Sequence, residues 1–181
     1  AGLVFLLVAG PRLLPERDSL VGAALARPDL AATYQLVERL WEVRLLPDSP
    51  LVGQPLATSV IGTRLGVTVV ALLREREARL PPDPAERLEA GDVLLVLGRE
   101  ERVRQLELEG TVVGRGEEGQ GLAGVRLPVR LTEVVVGPRS SAVGQTLKEM
   151  RFRQKFGMTA LALWRGGRSY RTDVGDFALA P

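Results

Sequence analysis

Acids, hydroxyls and arginines carry most of the chemistry this 181-residue sequence can offer, because it contains neither cysteine nor histidine. That absence removes disulfides, thiolate nucleophiles, Cys/His zinc sites and any Ser–His or Cys–His pair. The carboxylates are scattered over turns and helix faces, with Asp48, Asp83 and Asp92 in turn sequences. No Asp/Glu pair has the placement that acid–base catalysis or divalent-cation binding needs. Ser49, Ser140 and Ser141 have no base to activate them. The Gly-rich stretch Gly114-Arg115-Gly116-Glu117-Glu118-Gly119-Gln120-Gly121 is acidic in its middle and heads no helix, unlike a phosphate cradle. The sequence therefore offers no catalytic residue and no metal ligand.

What remains is a small loop that occurs twice, Ser49-Pro50-Leu51-Val52-Gly53 and Ser140-Ser141-Ala142-Val143-Gly144. On one view it only positions the helix that follows, with Gly53 and Gly144 allowing a tight backbone path. On the other, its amides and small side chains face a crevice at a strand–helix junction. Ser49, Val52, Gly53, Ser140, Val143 and Gly144 would then line a ligand. Arg44 and Arg139 are the nearest groups able to hold an anion by charge-assisted hydrogen bonds.

The loops belong to a longer duplication. Glu42 to Arg74 and Glu133 to Arg165 align without a gap at a spacing of 91 residues, with about 13 of the 33 positions identical. The pattern predicts an α+β protein of two tandem modules, each ordered strand, helix, hairpin, strand, helix. In the first, Leu40 to Leu46 alternates as a strand and stops at Pro47-Asp48-Ser49-Pro50. Pro55 opens a helix with Leu56, Val60, Ile61 and Leu65 on one face, and Gly66 is its left-handed cap. Val67 to Leu73 is a buried strand, Arg74 to Glu77 a hairpin turn, and Ala78-Arg79-Leu80 the return strand. Gly91-Asp92 turns into a last strand, Val93 to Leu97, and Arg99 to Leu108 has helical spacing with Val103 and Leu106 inward. In the second module Thr146 and Glu149 form a capping box, and Gly166-Gly167 supplies a two-residue hairpin turn.

The predicted boundaries are a connector over 1–35, a first module over 36–109, a Gly-rich linker over 110–130 and a second module over 131–181. That second copy is incomplete: at the 91-residue spacing Pro181 matches Ala90, so the equivalents of Gly91-Asp92, the last strand and the last helix are missing from it. An edge left open must be covered by another chain, by packing, or by the apolar run Leu3 to Val8. Gly2 to Gly10 is too short to cross a bilayer, which takes about 20 residues of helix. It reads either as the tail of a membrane helix, with Arg12 and Arg17 on the cytoplasmic side, or as a buried strand.

A net charge of +2, with 45% hydrophobic and 25% charged residues, describes a globular protein. No basic surface interleaved with aromatics points to nucleic acid.

The series Ser49 to Gly53, Gly66 to Arg74 and Gly91-Asp92-Val93-Leu94-Leu95-Val96-Leu97-Gly98 resembles the TrkA C-terminal domain, also called the RCK C-terminal lobe. The resemblance implies a helix-capped α+β pseudo-barrel, pairing as a homodimer or as an intramolecular pseudo-dimer, and no enzymatic activity. It implies a place on the cytoplasmic face of the membrane in an ion channel or transporter, where some members bind a regulatory nucleotide such as cyclic di-AMP. Two copies preceded by Leu13-Leu14-Pro15-Glu16-Arg17 resemble the soluble insert of divalent-anion:sodium symporter permeases, whose partner is their own membrane domain. That resemblance favours the membrane-helix tail for residues 2–10. The alternatives it leaves are a purely structural dimerisation domain and a regulatory subunit of a potassium uptake system. No Rossmann-like nucleotide lobe accompanies it, so NAD or ATP binding of that kind is not implied.

Overall fold

A computed structural model describes residues 2–9, 36–75, 77–115 and 129–181. In chain order the strands are β1 (Gly2–Ala9), β2 (Leu40–Leu45), β3 (Thr68–Arg74), β4 (Glu77–Arg79), β5 (Val93–Leu97), β6 (Thr111–Arg115), β7 (Val129–Val136), β8 (Met158–Arg165) and β9 (Arg168–Tyr170). The helices are short: α1 (Val60–Thr63), α2 (Glu100–Arg104) and α3 (Phe152–Phe156). The chain divides into two compact units, a first module Gln35–Arg126 and a second module made of Ala1–Tyr34 and Leu127–Pro181.

In the first module an antiparallel sheet has the order β4-β3-β5-β2-β6. The alternation of β2 sends Trp41, Val43 and Leu45 into the core, which they share with Leu72 of β3, Leu94 and Val96 of β5 and Val113 of β6. Leu51, Leu56, Ile61, Leu65, Val103 and Leu106 cover this face from outside the sheet. The central strands are buried on both sides, since Ala71, Leu73, Val93 and Leu95 of the opposite face are covered too. Their unbroken apolar runs suit that position.

The helix predicted from Pro55 to Gly66 is split. A 3-10 turn (Leu56–Thr58) and α1 flank an extended Ser59 (φ −65, ψ 155), whose hydroxyl donates to the Leu56 carbonyl at 2.8 Å. A serine that bonds back to the preceding turn competes with the helical ladder. The apolar face survives the break, with Leu56, Ile61 and Leu65 buried, and Gly66 has the expected left-handed φ of 60.

Two predicted boundaries change. Residues 110–115 are not linker: Thr111–Arg115 is strand β6, paired along β2 from Leu45↔Thr111 to Trp41↔Arg115. Its Val113 reaches the core, so the strand completes the sheet edge that a Gly-rich composition had hidden. Residues 2–9 do not form a helix. They are strand β1, between β7 and β8 in a sheet of order β7-β1-β8-β9. Pairing on both sides satisfies the backbone groups of this apolar segment. The predicted helix within 18–35 and the linker over 116–128 lie outside the described residues.

Second-module packing repeats the first in smaller form, with Val136, Leu147, Leu163, Val174 and Leu179 buried together. The capping box forms as predicted. The Thr146 amide donates to Glu149 Oε2 at 2.8 Å, and the Glu149 amide donates to Thr146 Oγ1 at 3.1 Å. The Thr146 amide and hydroxyl hold the Glu149 carboxyl below the usual carboxylate range. The box closes a single turn, because Arg151 is left-handed (φ 47) and α3 starts after it.

One polar cluster ties the first module together. Arg74, the last residue of β3, donates from Nε and Nη2 to the two carboxylate oxygens of Asp92, each at 2.8 Å. Asp92 stands at the head of β5 with 1% exposure, and its Oδ2 also accepts the Glu89 amide at 2.8 Å. Arg74 further donates to the Arg87 carbonyl at 2.9 Å and to Glu89 Oε1 at 2.6 Å. The bond to Asp92 holds the guanidinium pKa above its ordinary value. Asp92→Ala should destabilise the first module by about 3 kcal/mol in urea denaturation, because a largely buried guanidinium and an amide lose their acceptor together. A loss below about 1 kcal/mol would show that solvent replaces the carboxylate.

Candidate functional site

Loop Ser49–Gly53 leaves β2 and turns its amides inward. Gly53 (φ 82) donates to the Leu88 carbonyl at 2.7 Å, and Leu88 donates back to Gln54 at 3.0 Å. The Gln54 side chain donates to the Pro50 carbonyl at 2.8 Å, and Leu51 is fully buried. The second-module loop makes the same bonds at the 91-residue spacing. Gly144 (φ 84) donates to Leu179 at 2.8 Å, Leu179 to Gln145 at 2.8 Å, and the Gln145 side chain to Ser141 at 3.1 Å. Pro55↔Arg87 and Thr146↔Ala178 bridge the corresponding segments. Each loop is thus a clip on the segment after its hairpin.

The two serines differ. Ser49 is buried, and its hydroxyl donates to the Glu109 carbonyl at 2.5 Å while accepting from the Leu51 amide at 3.3 Å. Gly110 lies against it: a Cβ there would come within 2.9 Å of Ser49 Cα, at a φ of 67 that already disfavours side chains. Ser140 is exposed, and its Oγ accepts only the Ala142 amide, at 3.2 Å, among the described residues. Val52 packs against the first core, whereas Val143 is exposed.

Arg44 extends from β2 on the face opposite Val43 and Leu45. It is exposed, and no carboxylate pairs with it among the described residues. The Ser49 hydroxyl turns to the Glu109 carbonyl, whereas Arg44 is exposed on the other face of β2. Arg139 sits in the exposed turn directly before Ser140, where the first module has Asp48. In the second loop Arg139, Ser140 and Val143 are all exposed, whereas in the first module Arg44 is exposed and Ser49 is buried.

One arrangement escaped the sequence. Trp41, 1% exposed, has the Arg115 guanidinium 4.1 Å and the Arg104 guanidinium 5.4 Å from its ring. Arg115 also donates to the Glu38 carbonyl at 2.9 Å. The cations come from α2 and β6, so only the sheet order brings them to Trp41.

Residues 40–109 match the family model of the TrkA-C domain. The chain's relatives are transporters. An uncharacterized transporter of Synechocystis sp. is 30% identical over 98% of this chain and 29% of its own length. The uncharacterized transporter YfbS of Escherichia coli is 25% identical over 97% of this chain and 30% of its own. Sodium/sulfate cotransporter 1 of Chlamydomonas reinhardtii is 27% identical over 99% of this chain and 20% of its own. The chain thus spans less than a third of the length of these curated relatives. Among solved structures, the RCK_C domain dimer of S. agalactiae BusR in complex with c-di-AMP aligns with a TM-score of 0.37 at 22% identity, covering 39% of this chain and 93% of that one. The RCK C domain of the potassium transport protein KtrA, in complex with c-di-AMP, aligns with a TM-score of 0.38 at 24% identity, over 48% of this chain and 95% of that one. Among the described residues no helix is long and apolar enough to cross a membrane.

The contrast between the two serines is measurable. Ser49→Ala should cost about 1–2 kcal/mol of stability by removing a buried hydrogen bond, and Ser140→Ala less than about 0.5 kcal/mol. Equal losses in paired denaturation curves would show that both loops face solvent alike. Gly110→Ala should destabilise more than Gly53→Ala, since both strain a left-handed φ but only Gly110 abuts backbone.

Proposed function

We propose that this chain is a regulatory or subunit-coupling region of a membrane ion or solute transporter, located on the cytoplasmic face of the membrane. One observation carries the reading: transporters align with almost the whole chain while extending well beyond it, and a TrkA-C domain lies inside the aligned stretch. A region of this kind acts by differential binding, favouring one state of the attached membrane domain over another. Its partner is the membrane domain of the same transporter, and no catalytic step is assigned to it.

Ligand sensing is the finer proposal. Arg44 and Arg139 are exposed guanidinium groups with no carboxylate partner among the described residues, which suits an anionic small molecule. A regulatory nucleotide such as cyclic di-AMP has the required charge. Ser140, Val143 and Gly144 would contact it beside Arg139, and Ser49, Val52 and Gly53 would act through the backbone they fix. A thermal-shift panel of mono-, di- and cyclic dinucleotides tests this. A true ligand at about 100 times its Kd should add about 2.7 kcal/mol of stability; Arg139→Ala should remove a shift that arises at the second loop, and Arg44→Ala one that arises at β2. If no nucleotide shifts the melting curve, sensing through these arginines is wrong.

Subunit coupling has its own support. Edge strand β7 exposes Val134 and Val135, at 40% and 59%. Adjacent exposed valines on a strand that is a sheet edge among the described residues favour pairing with another chain. Light scattering should then show a dimer, and Val135→Lys should shift it toward monomer. A monodisperse monomer would remove the homodimer from the proposal.

A further inference from the structure

Strand β1 occupies, in the second module, the place β5 has in the first, and the registers agree throughout. Leu3 to Leu7 face Val135 back to Leu131 of β7, as Val93 to Leu97 face Arg44 back to Leu40 of β2. On the other side Leu3, Val4, Phe5, Leu6 and Leu7 face Trp164, Leu163, Ala162, Ala160 and Thr159. Val93 to Leu97 face Leu73, Leu72, Ala71, Val69 and Thr68, with the register shift at the same step. Each β1 residue therefore stands for the residue 90 positions later. By this rule Gly2 stands for Asp92, and its pairing with Val136 matches the bond that the Leu45 amide donates to the Asp92 carbonyl.

The arginine that grips Asp92 is also present. Arg165 stands for Arg74 and donates to the Ala178 carbonyl, as Arg74 donates to the equivalent Arg87 carbonyl. The guanidinium is held by the same loop in both modules. The acids around it are not: Phe177, Ala180 and Gly2 stand where Glu86, Glu89 and Asp92 stand. Among the described residues no carboxylate pairs with Arg165. The Glu89 amide, the third donor to Asp92, has its counterpart in the Ala180 amide.

We propose that Arg165 and the Ala180 amide form a carboxylate-binding seat at the head of the strand slot between β7 and β8. The slot accepts an extended apolar segment, and the seat selects one whose first residue bears an acid. Its occupant in this chain, Gly2–Ala9, fits the slot by register and pairing but carries glycine at the selecting position. The inference rests on sheet register and hydrogen bonding and does not depend on the transporter assignment.

The test is a double-mutant cycle on the whole chain, combining Gly2→Asp with Arg165→Met and, separately, with Arg165→Gln. Gly2→Asp should raise the Tm by roughly 3 °C or more, and Gly2→Asn should not. The gain should vanish in both Arg165 backgrounds, because the coupling requires the guanidinium. Hydrogen exchange at β1 and β8 amides should slow in the Gly2→Asp chain alone. An equal gain with and without Arg165, a gain matched by Gly2→Asn, or no gain at all would overturn the proposal.

Discussion

In each module the strand between the two longest sheet neighbours comes from somewhere other than the chain between them. The first module places β2 and β3 one strand apart, and the gap is filled only when β5 arrives, after α1 and the β3–β4 hairpin. Until then two inner edges are unpaired and the core lacks Leu94 and Val96. A late central strand makes register decisive, because a slip of one residue would move its apolar side chains to the other face. Both faces of β5 are buried, so alternation alone does not distinguish the correct register. The Asp92–Arg74 clasp does, by fixing the head of the strand to the end of β3 and to the Glu89 amide.

The fold was legible wherever local chemistry dictated local geometry. Turn residues, left-handed glycines and the apolar face of Leu56, Ile61 and Leu65 each have a short-range cause, and each is found where the sequence puts it. What failed to show is what depends on distant partners. β6 hid in a glycine-rich region because Val113 acquires a reason to be a strand only beside β2. Residues 2–9 allowed two readings because apolarity does not specify a state: the same run suits a membrane or a doubly buried strand. In the second sheet β1 lies between β7 and β8, at the position β5 has in the first.

The candidate site shows why a repeated motif is an ambiguous signal. Ser-Pro-Leu-Val-Gly recurs, in part, because the clip from Gly53 to Leu88 and from Gly144 to Leu179 must be rebuilt in each module. A repeat can therefore preserve backbone geometry with no ligand involved. The informative difference lies between the copies: Ser49 is sealed by Glu109 and Gly110, whereas Ser140 is exposed behind Arg139. The Trp41 contact with two guanidinium groups was illegible for the opposite reason, since no spacing links positions 41, 104 and 115.

Arg74 and Arg165 separate two duties that a single copy would merge. Both donate to a backbone carbonyl in the segment after the hairpin, which closes that segment on the strand end whatever acids surround it. Only Arg74 also meets Asp92, and that bond acts on a different object, the head of the inserted strand. Loop closure alone accounts for an arginine in the second module. Strand selection requires the carboxylate as well, because a bidentate pair constrains position and direction together, and a single bond to a carbonyl does not. The first module thus specifies its central strand by charge as well as by shape. The second has glycine at that position, and β1 is held there by backbone pairing with β7 and β8.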